Sequence, residues 1–157
     1  MENPLLRMYR RLGRWPLGGW LFARAVCFKA PYFGTIAPRF AVLEPGRCEA
    51  TIRHRRGVQN HLGSVHAIAL CNLAELCAGI MTEASLPADM RWIPKGMTVQ
   101  YLKKALGSQR GVATPTRPIV SAAAGYDLPV NVDVFDVAGE RVFNAVVTMW
   151  LSPRPAR

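Results

Sequence analysis

Acidic residues are scarce in this sequence of 157 residues: ten Asp and Glu stand against twenty Lys and Arg, for a formal net charge of +10. There are only three histidines, and without a cluster of carboxylates they predict no metal site. The four cysteines show neither CxxC nor zinc-ligand spacing, so we expect free thiols and a cytoplasmic protein. Unbroken apolar runs are short too. The best candidate, residues 15–30, contains Pro16, Arg24 and Lys29 and falls short of the about 18 residues of a membrane span.

The excess positive charge is concentrated in the first third of the chain. Residues 1–56 hold eleven Lys and Arg against three Glu, which accounts for +8 of the net charge. A basic region of this kind suits nucleic acid, anionic lipid or a phosphate-bearing ligand. We expect no nucleic acid, because the sequence has neither a recognition-helix motif nor aromatic residues interleaved with basic ones on a strand.

The start of this basic region predicts a short amphipathic helix over residues 4–15. Apolar residues recur at helical spacing and four arginines take the opposite face. The apolar face holds Leu5, Met8, Leu12 and Trp15, and the basic face holds Arg7, Arg10, Arg11 and Arg14. Such a helix either packs on its own domain or lies on a membrane surface. A second helix over residues 20–28 would complete an N-terminal helical extension, residues 1–35.

Beyond the extension, residues 36–157 predict a single α+β domain. Strand-like runs joined by short turns precede and follow one long helix at about residues 64–83. The expected strands are residues 39–43, 49–55, 97–105, 111–116, 130–137 and 141–151. A sheet made of such runs is antiparallel, and we expect it to wrap around the long helix.

The long helix should be buried, and it carries a carboxylate near its middle. Residues 64–83 are apolar or small on nearly every side, as in a helix enclosed by its own protein. Glu75 is the only charged residue between His66 and Thr82. A buried carboxylate with a pKa lifted toward neutrality is a serviceable general base. A Glu75 that reaches the helix edge and solvent would be structural only, and helix position alone leaves both interpretations open.

The residues just before the helix supply the other parts of an acyl-transfer site. Gly63 permits a tight turn, and Ser64 is the expected N-cap. Backbone N–H groups in the first helical turn can hold a carbonyl oxygen that becomes an oxyanion. Asn60 adds an amide that can position a water molecule or a thioester. A carboxylate, an amide and an oxyanion site are the parts that water attack on an acyl group requires.

The pattern Asn60-x-x-Gly63-Ser64-x-His66, followed nine residues later by Glu75, resembles the hotdog-fold acyl-CoA thioesterases of the phenylacetyl-CoA type. The resemblance implies a hotdog fold in which Glu75 activates water or attacks directly, Asn60 orients the reaction, and the N–H near Ala67 forms the oxyanion hole. It also implies a homodimer or tetramer with a shared tunnel, an acyl-CoA or acyl-carrier thioester as substrate, and no cofactor beyond that coenzyme A. With Trp92-Ile93-Pro94-Lys95, the whole chain is similar to a bacterial branch known only as a domain of unknown function.

Other residues are expected to contact the substrate. These are Gly63, Ser64, Tyr101, Lys103 and Lys104. The two lysines and the arginines of residues 53–56 would meet coenzyme A phosphates by charge complementarity, although a solvated basic face explains them equally well. His66 is either catalytic or a helix-start residue that hydrogen-bonds to the backbone.

Two alternative functions stay open. His61 precedes Glu75 by fourteen residues, which is similar to the spacing in hotdog-fold 3-hydroxyacyl-carrier-protein dehydratases, where the histidine would abstract a proton α to the thioester carbonyl. The other alternative is a non-catalytic acyl-CoA-binding protein. It is favoured by Ala67-Ile68, which replaces the Gly-Gly of the thioesterases.

Overall fold

Three α-helices and six strands make up the described part of the chain, residues 3–155 of a computed structural model. The described part leaves out residues 1 and 2 of the predicted N-terminal extension and residues 156 and 157 of the predicted α+β domain. The helices are α1 (Pro4–Leu12), α2 (Gly18–Lys29) and α3 (Ala67–Ser85). The strands are β1 (Arg39–Glu44), β2 (Arg47–Ile52), β3 (Met90–Tyr101), β4 (Gln109–Pro115), β5 (Tyr126–Phe135) and β6 (Arg141–Pro153).

The strands form one antiparallel sheet in the order β1-β2-β4-β5-β6-β3, and α3 packs against it. Leu73 and Cys77 of α3 are completely buried. Gly111 lets β4 approach them closely, because a Cβ there would lie 3.1 Å from Leu73 Cγ and 3.2 Å from Cys77 Sγ. An antiparallel sheet wrapped around one long helix is the hotdog arrangement, so the predicted fold class is confirmed.

Helix α3 begins later than predicted, and Ser64 is not its N-cap. His66 takes that position, and its Nδ1 accepts a hydrogen bond from the Ile68 N–H at 3.0 Å. The reason is that Val65 is extended: its N–H donates to the Ala105 carbonyl at 2.8 Å, so the backbone turns helical only after it. The helix therefore spans Ala67–Ser85 rather than residues 64–83.

Contrary to the sequence prediction, one segment does have the length and composition of a membrane span. It is α3, with a mean hydropathy of 1.4. This helix is not an unbroken apolar run, because Asn72 and Glu75 interrupt it. More than half of the helix is buried inside the protein, so its apolar surface forms the core of the domain.

The N-terminal helices pack on this domain. Phe22 of α2 is completely buried and makes edge-to-face ring contacts with Tyr9 of α1 and Phe40 of β1. Helix α1 ends at Leu12, three residues before the predicted end, which leaves Trp15 68% exposed. Leu5, Met8 and Leu12 pack against the core, so apart from Trp15 the apolar side of the predicted helix lies on the protein.

Strand β3 lies at an edge of the sheet. It begins at Met90 rather than at residue 97 and ends at Tyr101 rather than at residue 105. A bulge between Pro94 and Gly96 accommodates Pro94, which has no N–H to donate to the neighbouring strand. Within residues 3–155, β3 pairs with β6 alone, and it exposes Ile93, Met97 and Tyr101.

Glu49 on β2 is a buried carboxylate with two partners. It is 8% exposed, and its oxygens accept hydrogen bonds from Arg47 at 2.5 Å and Arg110 at 2.9 Å. Burial alone would raise the pKa of Glu49, but the hydrogen bonds from these two arginines hold it below its ordinary value.

We expect Glu49→Gln to lower the free energy of unfolding by about 1–2 kcal/mol at neutral pH. A carboxyl whose pKa falls on folding contributes stability above its unfolded pKa of about 4.3. That contribution is lost as the pH drops through the folded value. Urea unfolding at pH 7 and pH 3 measures the effect, with Glu140→Gln as a control at an exposed ion pair. If wild type and Glu49→Gln differ in free energy of unfolding by the same amount at both pH values, the lowered pKa of Glu49 is contradicted.

Candidate active site

The loop before α3 is built around Asn60. Its Oδ1 accepts hydrogen bonds from the Leu62 N–H at 3.0 Å and the Ser64 N–H at 3.2 Å, and its Nδ2 donates to Ser64 Oγ at 2.9 Å. Gly63 closes the turn with φ of 74°, a conformation that side chains rarely allow. Asn60 therefore fixes the shape of this loop, and its amide is engaged with Ser64 rather than free to bind a thioester.

We expect Asn60→Ala to lower the free energy of unfolding by about 1–3 kcal/mol, because it leaves the two loop N–H groups without their acceptor. Asn60→Asp is the matched control, since it keeps this acceptor and loses only the donor to Ser64. Chemical denaturation of both variants measures the difference. Equal losses in the two would show that the bond to Ser64, and not the backbone contacts, holds the loop.

Ala67 offers a backbone donor at the start of α3. Its N–H has no acceptor within residues 3–155 and lies at the positive end of the helix dipole. A free N–H at a helix N-terminus can donate to an anionic oxygen. His66 is exposed, and its ring caps the helix through Nδ1. With that nitrogen accepting, the proton of a neutral ring is on Nε2.

Glu75 lines a cavity of about 590 Å³. It is half-buried, between the buried and the solvent-exposed positions that the sequence left open, because the sheet covers the other side of α3. Its carboxylate has no hydrogen bond and no ion pair with any part of the chain that the structure describes. Lys29 lines the same cavity but forms no ion pair with Glu75.

The walls of this cavity are largely apolar and come from α1, α2, α3, β3 and the short segment after α2. They include Leu5 and Met8 of α1, Ala25 and Val26 of α2, Phe33, and Ile80 of α3. The Trp92 ring lies against Gly79, where a Cβ would be 2.9 Å from it. Trp92 Nε1 donates to Glu83 Oε2 at 2.7 Å, so Glu83 is engaged and Glu75 is not. The volume falls in the range of about 300–1,000 Å³ that is usual for small-molecule sites.

A smaller cavity of about 220 Å³ lies at the start of α3, lined in part by His66, Ile68 and Asn72. Asn72 Nδ2 donates to Thr35 Oγ1 at 3.1 Å, whereas Asn72 Oδ1 is buried and receives no hydrogen bond within residues 3–155. A buried carbonyl oxygen usually has a donor, and an amide N–H of a bound molecule would supply it. Sequence reasoning did not single out Asn72, although it precedes Glu75 by three residues and shares its helix face.

The other predicted contact residues lie apart from the two cavities. Tyr101 ends β3, and its hydroxyl lies 3.4 Å from Cys71 Sγ; this hydrogen bond raises the pKa of Tyr101. Lys103 is paired with Glu140 at 2.7 Å, and Lys104 is exposed. His61 is exposed in the turn before Gly63 and lines neither cavity.

The carboxylate and the oxyanion donor are well separated on their helix. Ala67 and Glu75 are eight residues apart, which at 1.5 Å per residue is about 12 Å along the axis. A thioester carbonyl bound at Ala67 therefore lies far from Glu75 of the same chain.

A sheet wrapped around a central helix that carries a carboxylate beside an apolar cavity is typical of the hotdog-fold thioesterase superfamily. More particularly, the chain belongs to the family described as domain of unknown function DUF4442, whose model matches residues 18–151. The predicted family relationship is thereby confirmed. No curated protein matches the chain.

Three solved structures illustrate the relationship. The genomics protein APC5556 is 44% identical, with a TM-score of 0.81 over 96% of this chain and 99% of that one. The protein PA5026 of Pseudomonas aeruginosa, described as a protein of unknown function and probable thioesterase, is 28% identical, with a TM-score of 0.69 over 84% and 94%. BH2602 of Bacillus halodurans, solved with CoA, is 20% identical, with a TM-score of 0.58 over 66% of each chain, and at that identity the likeness concerns the fold.

Proposed function

We propose that the protein is a thioesterase that hydrolyses acyl-CoA. Glu75 takes a proton from water, the resulting hydroxide adds to the thioester carbonyl carbon, and the Ala67 N–H binds the oxyanion. The carbon–sulfur bond then breaks, and the thiolate recovers the proton from Glu75, which yields a carboxylic acid and free coenzyme A. Direct attack by Glu75, through an anhydride that water cleaves, is the other form of this chemistry.

The observation that carries the proposal is the unpartnered carboxylate of Glu75 in an apolar cavity. The carboxylate is half-buried and engages no group of residues 3–155, so it is free to hold and activate a bound water molecule. By contrast, Glu83 in the same cavity accepts a hydrogen bond from Trp92. The cavity beside Glu75 has the size and the apolar walls that an acyl chain needs.

We further propose that two copies of the chain form the active site. The separation of about 12 Å between Ala67 and Glu75 is overcome if the donor of one subunit faces the carboxylate of the other. Strand β3 supports this arrangement, since it is a 12-residue edge strand that exposes Ile93 and Met97, and such edges pair readily with another chain. A tetramer would be a dimer of such dimers.

The structure lends less support to the two alternatives. A dehydratase needs His61 beside a Glu75 carboxylate; within one chain His61 lines neither cavity, and across a dimer the variant His61→Ala tests whether it faces the carboxylate of the other subunit. A non-catalytic binding protein would explain Ala67-Ile68, but Ile68 is exposed and the Ala67 N–H is free of acceptors within the described residues. Hydrolysis therefore accounts for more of the geometry.

Location and membrane contact are separate proposals. The four cysteines are unpaired, which supports a cytoplasmic protein. For residues 4–15, the buried apolar side of α1 leaves Arg7, Arg11, Arg14 and Trp15 exposed, a set that suits transient contact with anionic lipid. Flotation with phosphatidylglycerol vesicles and with phosphatidylcholine vesicles tests this contact.

Thiol release from short, long and aromatic acyl-CoAs tests the proposed hydrolysis. We expect release from at least one class, with the same rate in His61→Ala, because the proposed hydrolysis gives His61 no step. No release from any of them, together with hydration of enoyl thioesters that requires His61, would replace the thioesterase by the dehydratase. Tight binding without either reaction would favour the non-catalytic alternative.

A further inference from the structure

Four arginines line a pocket apart from the cavity of Glu75. The pocket has a volume of about 250 Å³ and lies between α2, the start of β1 and the segment after β2. Its arginines are Arg24, Arg39, Arg53 and Arg55. None of the residues that line it is Asp or Glu, so nothing in its walls balances the positive charge.

Several basic residues elsewhere in the protein have an acidic partner that the arginines of this pocket lack. Arg47, Arg110 and Lys103 are each paired with a carboxylate. Arg24, Arg39 and Arg53 form no ion pair with any carboxylate of residues 3–155. Like charges held around one small cavity repel each other. A bound anion attracts all of them and so offsets the repulsion. Guanidinium groups match phosphate oxygens in charge and in geometry.

Thr35 connects the arginine pocket to the start of α3. Its carbonyl accepts a hydrogen bond from Arg55 Nη2 at 2.7 Å, which fixes that arginine. Its Oγ1 accepts the hydrogen bond from Asn72 Nδ2. Thr35 and Asn72 both line the smaller cavity, and Arg55 lines the arginine pocket, so the two hydrogen bonds of Thr35 link a residue of one pocket to a residue of the other.

We propose that the arginine pocket binds the phosphate groups of coenzyme A. The pantetheine arm then crosses the smaller cavity, where one of its amide N–H groups donates to Asn72 Oδ1, and the thioester carbonyl reaches the Ala67 N–H. This inference rests on the proposed hydrolysis of acyl-CoA and adds the place where the carrier binds, since the several phosphate charges of coenzyme A suit four arginines. It also moves the phosphate contact away from Lys103, whose charge is balanced by Glu140.

Binding of coenzyme A itself, measured by calorimetry, tests the pocket without requiring turnover. The variant is Arg39→Gln/Arg53→Gln, since both side chains are exposed. The matched control is Arg11→Gln/Arg14→Gln, which removes the same charge from the same basic region. We expect the dissociation constant for coenzyme A to rise at least tenfold in the first variant and less than twofold in the control. Equal weakening in both would mean diffuse attraction and would overturn the pocket, as would no weakening in either.

Turnover of two substrates separates a phosphate site from a structural role. The acyl group that is best hydrolysed is supplied on coenzyme A and on N-acetylcysteamine, which carries no phosphate. We expect kcat/KM of Arg39→Gln/Arg53→Gln to fall at least tenfold on the first and to stay unchanged on the second. An equal fall on both would overturn the proposal, as would faster wild-type turnover of the same acyl group on a carrier protein. Arginine-dependent binding of coenzyme A without hydrolysis of any thioester would support the pocket and remove the hydrolysis.

Discussion

Glu75→Gln is expected to reduce kcat for acyl-CoA hydrolysis by on the order of 10²–10⁴-fold, the usual contribution of a general base. Glutamine has the same shape but cannot take a proton from water or attack the carbonyl. Because the Glu75 carboxylate makes no hydrogen bond or ion pair within residues 3–155, its replacement removes no structural contact. Thermal unfolding and the oligomeric state should therefore stay as in the wild type. Stopped-time thiol release measures the rate.

Glu83→Gln is the matched control for this prediction. Glu83 lines the same cavity, two turns further along α3, and its carboxylate is engaged with Trp92. We expect this variant to lose some stability and to keep most of its turnover. An unchanged kcat in Glu75→Gln would remove Glu75 from the mechanism. An equal loss of kcat in Glu83→Gln would do the same.

The second large effect is expected when the cavity is filled. Ala25 lines it from α2 and is partly exposed, so Ala25→Phe places a ring in the space of the acyl chain without replacing a core residue. Each buried methylene group is worth about 0.8 kcal/mol. If the ring displaces two methylene groups of a long acyl chain from the cavity, kcat/KM for that substrate falls by roughly tenfold. The shortest acyl-CoAs should be hydrolysed as before.

A chain-length series of acyl-CoAs measures this shift, with Ala123→Phe as the control at an exposed position. The preferred chain should become shorter in Ala25→Phe alone. A uniform fall over all chain lengths would indicate that the substitution disturbs the fold or the reaction. An unchanged preference would mean that the acyl chain lies elsewhere.

Local patterns carried the fold prediction. The hairpin of β1 and β2 and the long apolar helix follow from turn residues and periodicity, which depend on neighbours in the sequence. Predictions failed where a contact between distant segments decides the local structure. The bond from Val65 to the Ala105 carbonyl delays the start of α3, and the pairing of β3 with β6 draws Met90–Tyr101 into the sheet despite Pro94.

The candidate site could be predicted only in part for the same reason. The loop motif pointed to Asn60, Ala67 and Glu75, but the cavity at Glu75 is walled by helices from the first 35 residues, which the sequence analysis treated as an appendage. Periodicity within α1 and α2 shows that one face is apolar and does not show which surface it covers. The position of Arg24 beside Arg53 likewise depends on how α2 packs on β1.

The composition of α3 has a consequence before the protein is folded. The strands β3 to β6 follow α3 in the chain. During synthesis the ribosome therefore releases this helix before most of the sheet that buries it. In that interval it has the length and hydropathy of a membrane-spanning segment. An acidic residue at the centre of a span opposes transfer into the bilayer by on the order of 3 kcal/mol. Glu75 is the ninth residue of the 19 in the helix, and it therefore weighs against misdirection of the nascent chain to the translocon.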